Sequence, residues 1–365
     1  MGQRQDKNRG VLLGLAVGDA MGHTVDRRSL DEIRNDYGPN GLLGYDLVNG
    51  YADITSYTQL AAFTANGLLL GLTRGQSKGW ISKLMRYITM AIREWSRSQT
   101  FSLPEKNYCW LSRVPEMKRK FCMDNRMLDA LSKEKLGSLE EPQYRSNHPG
   151  ALTTAVAIAL LRKELELTQE ETDRLGAETV ALTHGDPEAF LSAAALTHLL
   201  SMLLQDENAP IEELVHQTIH SVQLQFGSEY GHCGKIWELL QLALTLATST
   251  NVTAMEAMQT LGCRSAAEVL AGAVYTFATC NRDFDTAMIT AVNHSGRSSA
   301  VGAIAGAMLG ALLQNEDLPE FYLESLEASQ PLTELADDLS AGFSEMVGKS
   351  LFDMDWDRKY LSIGK

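Results

Sequence analysis

An all-α fold is what the sequence predicts. Apolar residues recur at spacings of three and four through most of the chain, β-branched alternations that would mark strands are scarce, and Gly, Pro, Asn and Asp collect between the periodic runs. The runs are Ser56–Leu72, Ile81–Ser96, Leu152–Leu165, Thr168–Leu182, Pro187–Leu204, Ile211–Gln225, Gly234–Thr248, Ala266–Thr279, Phe284–Val292 and Ala300–Gln314. Thr168 with Glu171, and Ser265 with Glu268, have the spacing of capping boxes and fix two helix starts. Loops are expected at Asp36–Gly50, Thr100–Lys106, Ser138–Gly150, Asn293–Ser299 and Asn315–Leu318. No low-complexity linker and no fixed-period repeat interrupts the 365 residues, so one helical domain over 1–365 is expected.

Composition narrows the function classes. With 44% hydrophobic and 21% charged residues the chain has ample material for a continuous core. A formal charge of −14 argues against a nucleic-acid surface, which needs clustered Lys and Arg to displace counterions from phosphates. The most basic stretch, Lys118-Arg119-Lys120, reads as a solvated helix end. Cys109, Cys122, Cys233, Cys263 and Cys280 are odd in number and form no C-x-x-C pair, which indicates neither a disulfide framework nor a zinc knuckle and fits a reducing cytoplasm. The apolar runs Val11–Val17 and Val301–Leu313 are too short for a signal core with its cleavage site or for a bilayer span, so no membrane association is expected. Gly302, Gly306 and Gly310, interleaved with alanines, put small residues on one helical face and predict close helix packing in the core.

Four segments in order carry a family signature. They are Gly14-Leu15-Ala16-Val17-Gly18-Asp19-Ala20-Met21-Gly22; Ile54-Thr55-Ser56-Tyr57-Thr58-Gln59; Ala181-Leu182-Thr183-His184-Gly185-Asp186-Pro187-Glu188-Ala189; and Ala291-Val292-Asn293-His294-Ser295-Gly296-Arg297-Ser298-Ser299-Ala300-Val301-Gly302-Ala303-Ile304-Ala305-Gly306-Ala307. The chain resembles the ADP-ribosylglycohydrolase family, whose patterns at these places read G-x-x-x-G-D-A-x-G, T-D-D-T-Q, L-T-H and A-V-N-x-G-G-D-x-D-T-V-G-A-I-x-G-A. Residues 8–314 carry the resemblance, leaving 315–365 as a C-terminal helical extension. A fifth stretch, Ser146-Asn147-His148-Pro149-Gly150-Ala151-Leu152-Thr153-Thr154, stands where the family has S-x-G-x-G-x-M-R and lacks the middle Gly and the Arg.

The resemblance implies a compact orthogonal helical bundle with an ADP-ribose cleft lined by loops. It also implies hydrolysis of the glycosidic bond between ADP-ribose and a side chain or small molecule, assisted by two Mg²⁺ or Mn²⁺ ions on the T-D-D-T and G-D-x-D-T aspartates. In this sequence those aspartates are replaced by Ser56, Tyr57, Arg297 and Ser299, and the following Thr of the second segment by Ala300, while Thr55 and Thr58 persist. Two hard divalent cations need several carboxylates to offset about four positive charges. Exchange of four carboxylates for one permanently charged guanidinium is therefore expected to exclude the pair, leaving no metal cofactor. Asp53 and Asp19 are the nearby carboxylates that could substitute; Asp53 is out of register and Asp19 matches a structural family position.

Candidate ligand contacts at the matched positions are Ser146, Asn147, Gly150, His184, Asn293, His294, Gly296 and Arg297, around a vestigial site of Thr55, Ser56, Tyr57, Arg297, Ser299 and Ala300. Arg297 either offers a fixed cation to a phosphate or hydroxyl, or pairs with a carboxylate and fills the vacated space. Tyr57 either stacks on a ligand or plugs the cleft floor. His184 is either a helix-end core residue or a ligand contact; His148 and His294 lie in cleft loops with no Cys or Asp at a diagnostic sequence spacing. His216 and His220, four apart on a helix, have a zinc-compatible spacing that surface histidines share. Three functions follow as expectations: a non-hydrolysing protein that binds ADP-ribose or an ADP-ribosylated partner, a metal-independent glycosidic enzyme using Arg297 with His184 or His294, and a protein-binding body with a closed cleft.

Overall fold

The protein is all-α, and two isolated bridges, Val48 with Tyr51 and Ala52 with Leu326, are the only strand-like pairings among the described residues. The structure, a computed structural model, describes residues 2–77, 84–100, 107–121, 124–163, 165–231, 234–280, 282–341 and 353–361. In chain order the helices are α1 (Gly2–His23), α2 (Leu30–Tyr37), α3 (Ser56–Ser77), α4 (Leu84–Thr100), α5 (Asn125–Ser132), α6 (Thr154–Leu161), α7 (Gln169–Ala181), α8 (Pro187–Gln205), α9 (Ile211–Tyr230), α10 (Lys235–Ala247), α11 (Ala254–Leu261), α12 (Ala266–Thr279), α13 (Phe284–Val292), α14 (Ser298–Leu313), α15 (Glu320–Ser325) and α16 (Ser329–Ser340). The start of the expected run at Ile81, the expected loop beyond Thr100, and Cys122 and Cys233 lie outside the described residues. Cys109, Cys263 and Cys280 are buried free thiols.

The expected run Leu152–Leu165 is shorter in the structure. Pro149 opens a 3-10 turn over Pro149–Ala151, and the α-helix starts only at Thr154 and stops at Leu161. The α14 helix starts two residues earlier than expected, at Ser298. Helix α8 is long and apolar enough to cross a membrane by length and composition alone, and 78% of its apolar window is buried inside the protein. It is a core helix, apolar on every side because neighbours cover every side.

Two helices organise the core. Helices α1 and α14 run antiparallel with Gly10, Gly14 and Gly18 against Gly310, Gly306 and Gly302. A Cβ on Gly18 would lie 1.9 Å from the Gly302 carbonyl oxygen, and one on Gly306 would lie 2.0 Å from that of Gly14. The first and fourth signature segments are thus the two faces of one backbone-to-backbone contact. The contact leaves the C-terminus of α1 beside the N-terminus of α14, where Gly22 meets Ser298. Around this pair the buried apolar side chains form one continuous cluster, from Val11 on α1 to Tyr360 near the C-terminus.

Candidate functional site

Three helix ends converge on a cleft. His23 ends α1 and is followed by Asp26 and Arg27; Thr55, Ser56 and Tyr57 open α3; Arg297 and Ser299 open α14. Loop residues Lys120, Phe121, Asp124, His148 and Gly150 close the sides of a cavity of about 180 Å³. A second cavity of about 300 Å³ shares Asp124, His148 and Arg297 with the first and continues past Asn125, Arg126 and Ser146. A larger one, about 410 Å³, lies between Lys7, Arg162, Lys163 and Gln205 and contains no residue of the five motif segments. The motif chemistry, and not the volume, identifies the first as the candidate site.

Resident carboxylates already occupy the helix N-termini on the cleft floor. Asp19 is fully buried, and its Oδ2 accepts hydrogen bonds from the backbone N–H of Thr55 at 2.8 Å and of Thr58 at 3.1 Å. The Thr55 and Thr58 hydroxyls donate to its two oxygens, each at 2.6 Å. Burial pushes the Asp19 carboxyl above the usual carboxylate range, and these bonds pull against it. Asp26 does the same at α14: its Oδ1 accepts from the Ser299 N–H at 3.3 Å, and its Oδ2 lies 3.3 Å from Arg27 Nε. Ser299 Oγ donates to the Asp19 carbonyl at 3.2 Å, and Ala300 is buried in the helix. Thr153 Oγ1 donates to the Tyr57 carbonyl at 2.7 Å, joining the His148 loop to α3.

This donor set does not fit the pair of divalent ions that the resemblance implies. At the four ligand positions stand Ser56, Tyr57, Arg297 and Ser299; Asp19 accepts four hydrogen bonds from Thr55 and Thr58, Asp26 accepts from Ser299 and pairs with Arg27, and Asp124 lies on the side wall beside His148. Asp53 does not line the cavity; it pairs with Arg119 at 2.6 Å. The Tyr57 ring is 7% exposed and forms part of the floor, where burial and the Asp26 charge push its phenol well above the ordinary value. Arg297 is half-buried and lines both cavities, and its guanidinium has no hydrogen bond or ion pair among the described residues. Its charge acts on Asp26 without a direct contact, and the side chain lines the cleft.

The other sequence candidates divide into two groups. Ser146, Gly150 and Arg297 line the cleft. Asn147, Asn293, His294 and Gly296 do not: Asn147 donates to Glu188 at 3.2 Å, Asn293 pins the loop between α2 and α3 through both the N–H and the carbonyl of Leu42, and Gly296 packs on the Cys263 backbone and accepts from the Arg27 N–H. His294 is completely buried, with Nε2–H donating to the Ala291 carbonyl at 2.9 Å and Nδ1 accepting from the Gly296 N–H at 3.0 Å. That geometry removes His294 from the list of proton-transfer groups.

The His294 arrangement carries a pH consequence. Burial pushes its pKa down to about 4, below the value of about 6.5 for a free imidazole. Between these values the unfolded chain binds a proton that the folded chain refuses, so stability falls as pH drops from about 6.5 to about 4 and is constant from this source above that window. Thermal melts at pH 7 and pH 5 should show the loss, and His294→Gln, which keeps one donor and one acceptor, should shrink it; equal pH slopes in the two proteins would disprove this account.

Sequence spacing missed the partner of the cleft histidines. Asp124, 24 residues before His148, brings its Oδ2 to 3.4 Å from His148 Nδ1 and 3.1 Å from His184 Nε2, while its Oδ1 caps α5 by accepting from Arg126 and Met127 N–H. Burial works against the Asp124 charge, yet the His184 hydrogen bond and the two imidazoles hold its carboxyl well below the usual range. His184 is buried, with the Thr183 hydroxyl 2.8 Å from Nδ1, and reaches the cleft only through Asp124. The signal that could have found Asp124 is its place as an Asp before the Asn125–Ser132 run, an N-cap type. Lys120 and Phe121 were hidden in a loop held by amides: Gln59 Nε2 donates to the Arg119 carbonyl at 3.1 Å and Gln59 Oε1 accepts from Trp95 Nε1 at 3.0 Å. Gln99 adds a bond to the Arg119 carbonyl and one from the Phe121 N–H, each at 3.0 Å.

Comparison with known proteins agrees with this geometry at the level of the scaffold. No curated protein matches the chain. A solved structure described as an "ADP-ribosylglycohydrolase-related protein complex" is similar over 93% of this chain and 99% of its own, with a TM-score of 0.58 and 21% identity, which shows a shared fold. The model of the ADP-ribosylglycohydrolase family matches residues 1–347, nearly the whole chain, and the protein belongs to that family.

Proposed function

We propose that this protein does not run the family's metal-dependent hydrolysis and instead uses its cleft to bind ADP-ribose, free or carried by a partner protein. The observation that supports the reading is Arg297: a half-buried guanidinium with no hydrogen bond or ion pair among the described residues, its charge felt by Asp26, standing where the family holds cations and lining an open cavity. A pyrophosphate carries the opposite charge and the paired oxygens that a guanidinium fork binds well in a partly desolvated setting. Lys120 and Arg27 extend the positive rim, and the faces of Phe121 and Tyr57 offer apolar surface to a ribose or base.

The test is calorimetric titration of ADP-ribose into chelator-stripped protein, with and without Mg²⁺. Binding is expected to be the same in both, and Arg297→Ala is expected to weaken it at least tenfold, about 1.4 kcal/mol. Mg²⁺-dependent binding with turnover would overturn the proposal. Chelator-insensitive turnover that vanishes in Arg297→Ala would favour the metal-independent enzyme, and absence of binding would favour a protein-binding body.

A further inference from the structure

The Asp124, His148 and His184 cluster performs no task in the ADP-ribose reading, yet its donor atoms are gathered at the cleft, with Asp124 and His148 on its wall and His184 buried behind Asp124. Asp124 Oδ2, His148 Nδ1 and His184 Nε2 come from a helix cap, a loop and a helix end far apart in sequence, and one ligand atom from each residue lies within 4.8 Å of the others. For a metal about 2.0–2.1 Å from each donor at tetrahedral angles, the donors stand roughly 3.4 Å apart. The two separations to Asp124 Oδ2 are 3.1 and 3.4 Å.

The local hydrogen bonding points the same way. His148 Nδ1 accepts the Gly150 N–H at 3.0 Å, so this nitrogen carries no hydrogen to give to the carboxylate 3.4 Å away. A lone pair and a carboxylate oxygen facing each other across that gap repel, and a cation between them reverses the sign. The Thr183 hydroxyl can accept as readily as it donates, so His184 can place its proton on Nδ1 toward Thr183 and turn the Nε2 lone pair toward Asp124. Asp124 Oδ1, engaged at the start of α5, fixes the carboxylate so that Oδ2 is the one presented.

We propose that Asp124, His148 and His184 form a mononuclear site for a divalent transition metal of the Zn²⁺ type, with its fourth position open to the cleft. Two imidazoles and one carboxylate select Zn²⁺ or Co²⁺ over Mg²⁺, whose preference is for oxygen. Binding exchanges the Gly150 N–H bond to His148 and the His184–Asp124 hydrogen bond for bonds to the metal. The open position faces the cavity that Arg297 lines, so a metal-bound site would present two cations to one anionic ligand.

The test is titration of tag-free, chelator-stripped full-length protein with Co²⁺, read by the visible bands of four- or five-coordinate cobalt, followed by displacement with Zn²⁺. One equivalent is expected to bind, with at least a hundredfold loss of affinity in Asp124→Asn and in His184→Asn, and no change in the His216→Asn/His220→Asn double variant. His148→Gln supplies a third arm if a buried substitution disturbs folding, which circular dichroism would show. Absence of the bands, retention of full affinity in the cluster variants, or loss in the His216/His220 variant would overturn the proposal. The ADP-ribose titration is performed on stripped protein, so the two proposals fail separately.

Discussion

Gly18→Ala is expected to destabilise the protein by about 3 kcal/mol or more, at the upper end of overpacking costs. The added methyl would sit 1.9 Å from the Gly302 carbonyl oxygen and 2.2 Å from its carbon, and the obstruction is backbone, which has no rotamer to change. Relief requires α1 and α14 to separate, and that separation opens contacts along their whole length. For a chain of this size 3 kcal/mol corresponds to a fall in melting temperature of roughly 4 °C, and a urea midpoint measures the same loss. Gly44→Ala is the matched control, because a Cβ there meets nothing within 4 Å. A Gly18→Ala protein as stable as the parent would show that the helices do not approach as described.

Asp19→Ala should cost more, on the order of 4 kcal/mol or a fall of roughly 5 °C. The change removes one acceptor group and leaves four buried donors, two N–H groups and two hydroxyls, without it. Asp19→Asn keeps one acceptor oxygen but turns an NH₂ toward the donors that met the other, so it should cost about half as much. If Asp19 had instead survived as a metal ligand, its loss would spare stability in chelator and remove it only when Mg²⁺ is present. Thermal melts of both variants with and without Mg²⁺ separate the cases, and no dependence on the ion is expected.

The sequence revealed the helices better than the way the site is completed. The limits of α12 and α13 coincide with the expected runs because Ser265 and Asp283 cap their starts through local side-chain bonds. Helices α2 and α11 have equally clear caps, Ser29 with Glu32 and Thr253 with Glu256, but eight residues give a periodic pattern too brief to stand out. At the site, the replaced ligands Ser56, Tyr57, Arg297 and Ser299 were legible because each lies within a linear motif. Asp26 and Asp124 were not: each acts across 24 residues or more, on Ser299 in one case and on His148 and His184 in the other, through contacts that exist only once the helices are packed. Asn293 and His294 lie inside a motif and hold loops in place, so membership in a motif did not separate ligand contacts from scaffold.

The amide clamp on the Arg119–Phe121 segment has an effect on how the cleft should behave in different buffers. Gln59 and Gln99 hold the backbone of that wall through uncharged groups, which added electrolyte leaves in place, while the ion pairs of the Arg119 side chain with Asp53 and Glu327 are the part that salt screens. Arg297 attracts its ligand by charge, and that attraction weakens as the Debye length shrinks from about 10 Å at 0.1 M to about 3 Å at 1 M. Raising ionic strength should therefore release a bound anion from a pocket whose backbone stays in place, and the part of that salt dependence lost in Arg297→Ala gauges the guanidinium against the rim cations Lys120 and Arg27.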